Sequence, residues 1–163
     1  MLFYYFKSKK DLFHYCVGYG ANFVVERYVN KLEDTEPDFI ERQKHSTKVK
    51  MAAIHENPHI FSFLGSLHIN QVELPEDLAA LGIEAKRRAD EKRLNNIDKS
   101  LFRDDVNPDL IFKLICWALE GYERELIHRL KGQKLTTVDY SPYRDEFYDF
   151  LADLKKVYYK QEA

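Results

Sequence analysis

The sequence predicts an all-α protein, and three observations carry that expectation. Six glycines and five prolines among 163 residues make turn-formers scarce. Valine, isoleucine and threonine total 22 residues while leucine alone supplies 18, a balance that favours helix over strand. Apolar residues make up 45% and charged residues 32%. That is enough to fill one core and coat long helices, which excludes a globally disordered chain and fits a single domain.

Each helix has its own start and stop signals. Met1 to Phe6 is a short apolar, aromatic helical stretch. Ser8 is an N-cap with Asp11 at the third helical position, and a helix follows to about Leu32. Its apolar face is expected to hold Leu12, Cys16, Tyr19 and Phe23. Gly18 and Gly20 interrupt it, either softening the helix or allowing close packing. Pro37 suits the first position of a second helix, running to about Asn57. Its inner face is expected to hold Phe39, Ile40, Gln43, Thr47, Met51 and Ile54, with the run from Arg42 to Lys50 (RQKHSTKVK) solvated. Pro58 forces Asn57 out of helical geometry and opens a third helix, ending near Leu67. Leu74-Pro75-Glu76 opens a fourth, reaching about Ile97, with Leu78, Leu81, Ala85 and Ala89 inward and Lys86, Arg87, Asp90 and Lys92 outward. Asn107-Pro108 opens a fifth, whose apolar stripe is Ile111, Leu114, Ile115, Ala118, Leu119, Tyr122, Leu126 and Leu130, and Gly132 stops it. Ser141-Pro142 repeats the cap-plus-proline pattern before a last helix carrying Phe147, Phe150, Leu151, Leu154 and Tyr158.

Several function classes are disfavoured. The longest uncharged stretch, Asn57 to Val72, is 16 residues, short of the ~20 apolar residues of a membrane span. The N-terminus lacks the charge-then-apolar order of a secretory signal, so a cytoplasmic location is the expectation. Cys16 and Cys116 stand alone among apolar neighbours and read as buried, reduced thiols. A net charge of −2 argues against nucleic-acid binding by the chain as a whole. The exception is local, at Lys7, Lys9 and Lys10. His55-Glu56-Asn57-Pro58-His59 matches the HExxH zinc motif literally. That motif needs both imidazoles on one continuous helix, and Pro58 breaks it. No phosphate-binding glycine loop or nucleophile elbow is present. No catalytic residue, metal or cofactor is expected, and the chain is not read as an enzyme.

The segment Leu2-Phe3-Tyr4-Tyr5-Phe6-Lys7-Ser8-Lys9-Lys10-Asp11-Leu12-Phe13 resembles the end of the DNA-binding region of TetR-family transcriptional regulators. In that family the recognition helix ends in an aromatic run. A short turn with Ser and Lys follows, then an acidic residue and Leu on the next helix. The resemblance implies that Phe3, Tyr4 and Tyr5 meet DNA, that Lys9 lies on a backbone phosphate, and that Leu2 and Phe6 pack. Lys7 joins the DNA-contact candidates through the local positive charge. The bland alternative is that LFYYF is plain core. The family's helix-turn-helix needs about 40 residues, mostly ahead of this segment. The resemblance therefore implies a remnant of recognition helix over 1–7. A TetR-type C-terminal regulatory bundle, for ligand binding and dimerisation, would follow over 8–163, its connecting helix at about 8–32.

The function so implied is a ligand-responsive transcriptional regulator, a repressor, that lacks most of its DNA-binding domain. The alternative is a helical dimerisation, scaffold or ligand-binding module that does not bind DNA. An unknown small-molecule effector, mainly apolar or aromatic, is expected between the middle helices and the Asn107–Leu130 helix. His59, Phe63, Leu67, Trp117 and Tyr122 are its candidate contacts. A homodimer through the last two helices is expected, with Leu119, Leu126, Phe147, Phe150, Leu151 and Leu154 near the interface. Operator DNA is a partner only where the full helix-turn-helix is present, and no membrane association is expected.

Overall fold

Capping side chains start most of the longer helices in the computed structural model, which describes residues 2–161 and the side chains of residues 4–161. A helical turn, α1 (Leu2–Tyr5), precedes six longer helices: α2 (Lys9–Arg27), α3 (Phe39–Glu56), α4 (Pro58–Ile69), α5 (Glu76–Leu94), α6 (Pro108–Leu130) and α7 (Ser141–Tyr158). The protein is all-α, and no strand forms among the described residues beyond one bridge between Phe102 and Tyr159. No helix among those residues is long and apolar enough to cross a membrane.

The Ser8 hydroxyl accepts from the Asp11 backbone N–H at 3.1 Å and donates to the Asp11 carboxylate at 2.8 Å. The Asn57 side chain accepts from Ile60 and the Asn107 side chain from Asp109 and Leu110, each with a proline next in sequence. At φ +82°, Gly132 takes the left-handed geometry that ends α6. Asn57 breaks the chain between α3 and α4 at φ −146°. His55 and His59 therefore sit on two different helices, both exposed.

Some boundaries and faces differ from the sequence expectation. α2 ends at Arg27 rather than Leu32, and Val29–Lys31 tightens into a 3-10 turn. Its buried residues are Val17 and Gly20, while Tyr19 is exposed, because α2 turns its small residues toward its neighbours. A Cβ on Gly20 would lie 3.2 Å from Leu64, so this glycine serves close approach of α2 to α4. Pro37 lies outside α3, and Asp38 is the cap, accepting from Ile40 and Glu41. α5 stops at Leu94, short of Ile97, and Leu81 faces outward. Ser141 is the first residue of α7 rather than its cap; the Asp139 carboxylate accepts its N–H instead. Cys16 and Cys116 are free and half-buried, and burial pushes the Cys116 thiol up, away from the reactive thiolate.

The run expected to be solvated carries the largest correction. Arg42 and Ser46 are buried, with Arg42 1% exposed, while Gln43 is buried on the inner face expected for it. The Arg42 guanidinium donates to main-chain carbonyls of Asp34, Glu36, Lys92, Asn95 and Asn96. It thereby ties the loop before α3 to the end of α5. Ser46 shares a 2.9 Å hydrogen bond with the Tyr28 hydroxyl.

Helix α3 sits centrally, against α2, α4, α5 and α7. The main core joins Phe39 and Ile40 of α3 with Phe102, with Ile111 and Ile115 of α6, and with Leu151, Leu154 and Tyr159. A smaller core of Val29, Leu32 and Ala89 closes the α2–α5 side. The chain's end is held by a polar clasp. The Tyr159 hydroxyl donates to Asp38 at 2.8 Å and accepts from the Ile40 N–H at 3.2 Å. Lys155 donates to Asp38 at 2.7 Å and to Glu41 at 3.1 Å.

Acid should loosen this clasp. Burial pushes the Asp38 carboxyl up, but Lys155, Tyr159 and the Glu41 N–H outweigh it and hold the group below its ordinary range. Glu41 is lowered too: burial raises it, and Lys44 and Lys155 more than compensate. Groups lowered on folding contribute stability that is present above their unfolded values and lost as pH falls through the folded ones. Asp38→Asn should therefore cost about 1–2 kcal/mol at pH 7. The stabilities of the two proteins in urea titrations should converge as pH falls through the lowered Asp38 value. A gap unchanged at low pH would mean that the ion pair adds nothing.

Candidate functional site

Three regions contain the residues singled out by sequence. The first is the N-terminal turn. Tyr4 and Tyr5 are 84% and 77% exposed, their rings edge-to-face at 5.3 Å. Phe6 instead turns back onto α2, its ring 5.3 Å from Tyr15, and Tyr15 stacks on Tyr19 at 6.2 Å. Lys7 and Lys9 are exposed on either side of the Ser8 cap. The side chain of Phe3 lies outside the described residues. Next to this turn, His14 of α2 reaches Asp77 at the start of α5 at 2.6 Å. That contact holds the Asp77 carboxyl below its usual range.

The second region is an open groove of ≈ 580 Å³ between α4, the loop that follows it, and α6. This lies within the ~300–1,000 Å³ usual for small-molecule sites, and between the expected helices. Leu64, Leu67, Val72, Leu74 and Ile127 give it an apolar floor, and His68, Gln71, Arg124, His128 and Lys131 its polar rim. Of the five expected ligand contacts, only Leu67 lines it. His59 is exposed at the opposite end of α4. Phe63 packs edge-to-face on Phe13 of α2 at 6.2 Å. Trp117 is 53% exposed beneath the Lys113 ammonium. Tyr122 is taken up by α7, 4.9 Å from Phe150 and 5.1 Å from Phe147.

Sequence reasoning missed the basic rim, although its signal was present. Arg124, His128 and Lys131 follow i, i+4, i+7 spacing, and Leu64, Leu67 and His68 follow i, i+3, i+4, so each set shares one helical face. The long apolar stripe of α6, from Ile111 to Leu130, is the stronger pattern in the same helix and masks this basic set.

The third region is the α6–α7 pair. Arg129 forks onto Glu146 at 2.6 and 3.0 Å, and the Tyr122 hydroxyl donates to the same carboxylate at 3.2 Å. Burial and Glu146 push the Tyr122 hydroxyl up to about 12, which keeps it a donor. Leu119, Leu126, Phe147 and Phe150 are half-buried. Leu151 and Leu154, expected at a subunit interface, are instead 0% and 8% exposed within the protomer's own core. α7 uses that side to cover α3.

Among the described residues no group of three or more His, Cys, Asp or Glu is placed to hold a metal ion. No protein-family model, curated protein or solved structure matches the chain.

Proposed function

We propose that this chain is the effector-binding and dimerisation part of a ligand-responsive transcriptional repressor of TetR type, with residues 1–7 as the end of its recognition helix. The observation that supports this best is the N-terminal turn. Tyr4 and Tyr5 point outward beside exposed Lys7 and Lys9, while Phe6 folds back onto Tyr15. One face is thus free to meet phosphates and the other anchors the turn to α2. The start of α2 adds the partial positive charge of a helix N-terminus.

A route for ligand response follows from packing. Leu64 lines the groove and also sits against Gly20 of α2. A ligand that displaces α4 would press Leu64 toward Gly20, where no side chain separates the two helices, and so bias the position of α2. α2 carries the N-terminal turn at its far end, so two α4 positions bias two placements of the DNA-contacting residues. Dimerisation is assigned to α6 and α7, through the half-buried Leu119, Leu126, Phe147 and Phe150.

A gel shift on the DNA upstream of the chain's own gene tests the reading. The 163-residue chain should bind duplex weakly and without sequence preference, since Lys7, Lys9 and Lys10 release only about three counterions. The same chain extended upstream by about 40 residues should protect a near-palindromic site, with half-sites ~34 Å or a small multiple apart. Tyr4→Ala or Lys9→Ala in the extended chain should weaken it. Failure of the extended chain on its own upstream DNA would favour the dimerisation or ligand-binding module that does not touch DNA. Light scattering that gives only a 19.4 kDa species would remove the dimer from either reading.

A further inference from the structure

We propose that the groove between α4 and α6 binds a small amphipathic monoanion, a carboxylate carried on an apolar body. This deepens the regulator reading by naming the chemical class of its effector. Two properties of the lining point to that class. Its floor is aliphatic, formed by Leu64, Leu67 and Ile127, and suits a hydrocarbon body. Its rim has Arg124, Lys131 and the imidazoles of His68 and His128, and no carboxylate lines the groove.

Arg124 and Lys131 form no ion pair among the described residues, whereas most arginines of this chain do: Arg27, Arg87, Arg93, Arg103, Arg129 and Arg144 are each within reach of a carboxylate. Glu73 lies between Val72 and Leu74 in sequence, but only its two neighbours line the groove, as the alternation of an extended segment requires. Glu123 and Glu125 flank Arg124 but are ~100° away around α6.

One effect opposes an anion. The groove lies at the C-terminal ends of α4 and α6, each worth roughly half a negative charge. Those ends are internally capped. Asn70, Gln71 and Val72 donate to Ser66, His68 and Leu67, and Lys131 and Gln133 donate to Ile127 and Leu130. Capped carbonyls project less field than the two full positive charges of Arg124 and Lys131, so the balance favours the anion. A guanidinium also offers the paired N–H geometry that a carboxylate accepts.

The test uses the 163-residue chain and three probes with one hydrocarbon body: octanoate, 1-octanol and octyltrimethylammonium. Titration calorimetry at pH 7 should show octanoate binding about tenfold or more tightly than octanol, and the cation not binding. Arg124→Gln combined with Lys131→Gln removes only exposed charges. It should erase the preference for octanoate and leave octanol unchanged. Leu67→Trp should fill the groove and abolish both. Equal affinity for octanoate and octanol, preference for the cation, no octanoate binding, or octanoate binding indifferent to Leu67→Trp would each overturn the proposal. Because the measurement involves no DNA, its failure leaves the regulator reading to the gel shift.

Discussion

Replacing Arg42 with Ala should lower stability by about 3 kcal/mol, one of the largest single effects expected in this chain. The guanidinium is buried and its acceptors are backbone carbonyls on two separate segments. Burial lowers its pKa, with Asp34 and Glu36 opposing that fall, but an arginine remains charged at neutral pH. Removing it leaves carbonyls of the 34–36 loop and of the α5 terminus without a donor, at about 1–3 kcal/mol for each that water cannot reach. Asn95, Asn96 and Glu36 lie at the surface, so water recovers some of them, which holds the total near the lower end of the sum. At about 2–4 °C per kcal/mol for a chain of this size, the melting temperature should fall by about 6–12 °C. Arg42→Lys should recover less than half of this, because one ammonium cannot reach both segments. The loop that Arg42 holds leads into Asp38, the cap of α3 and the centre of the C-terminal clasp. Arg42→Ala and Asp38→Asn should therefore be non-additive, and a double-mutant cycle with no coupling would show the two features to be independent. An Arg42→Ala variant as stable as the parent would mean that these carbonyls are solvated without it.

The features readable from sequence and those that were not differ in the range of the interaction responsible. Ser8, Pro58, Asn107 and Gly132 act within three or four residues of themselves, and each starts or stops a helix where its local chemistry requires. Arg42 acts across about 50 residues. A polar run such as RQKHSTKVK reads as solvated unless the carbonyls that will receive it are known, and nothing near it in sequence identifies residues 92–96. Tyr19 and Leu81 show the same limit for apolar residues: periodicity defines a face, but the neighbour decides whether that face is covered. A groove opens between α4 and α6, yet only Leu67 of the five expected contacts lines it, because spacing defines which residues share a face and not which face its neighbours leave open.

Leu151→Ala should cost about 2–5 kcal/mol, with a fall in melting temperature of about 4–20 °C, and this variant separates the fold from the proposed association. Leu151 is 0% exposed, in one cluster with Phe39, Ile40, Ile111 and Ile115, so truncation opens a cavity where α3, α6 and α7 meet. Rigid ring and β-branched neighbours collapse poorly into such a space, which places the cost in the upper half of the range. Phe150, one position earlier on α7, is half-buried and stacked on Tyr122. Its exposed part is what a second copy would cover, so Phe150→Arg should act on association in addition to the α6–α7 packing. A core defect lowers stability by a similar amount whatever the protein concentration. An interface defect changes how steeply stability depends on concentration. Thermal unfolding of both variants across a dilution series, followed by light scattering on the same samples, distinguishes the two. Should Leu151→Ala melt like the parent but dissociate on dilution, α7 would have to present Leu151 to a partner. The covering of α3 that defines this core would then be wrong.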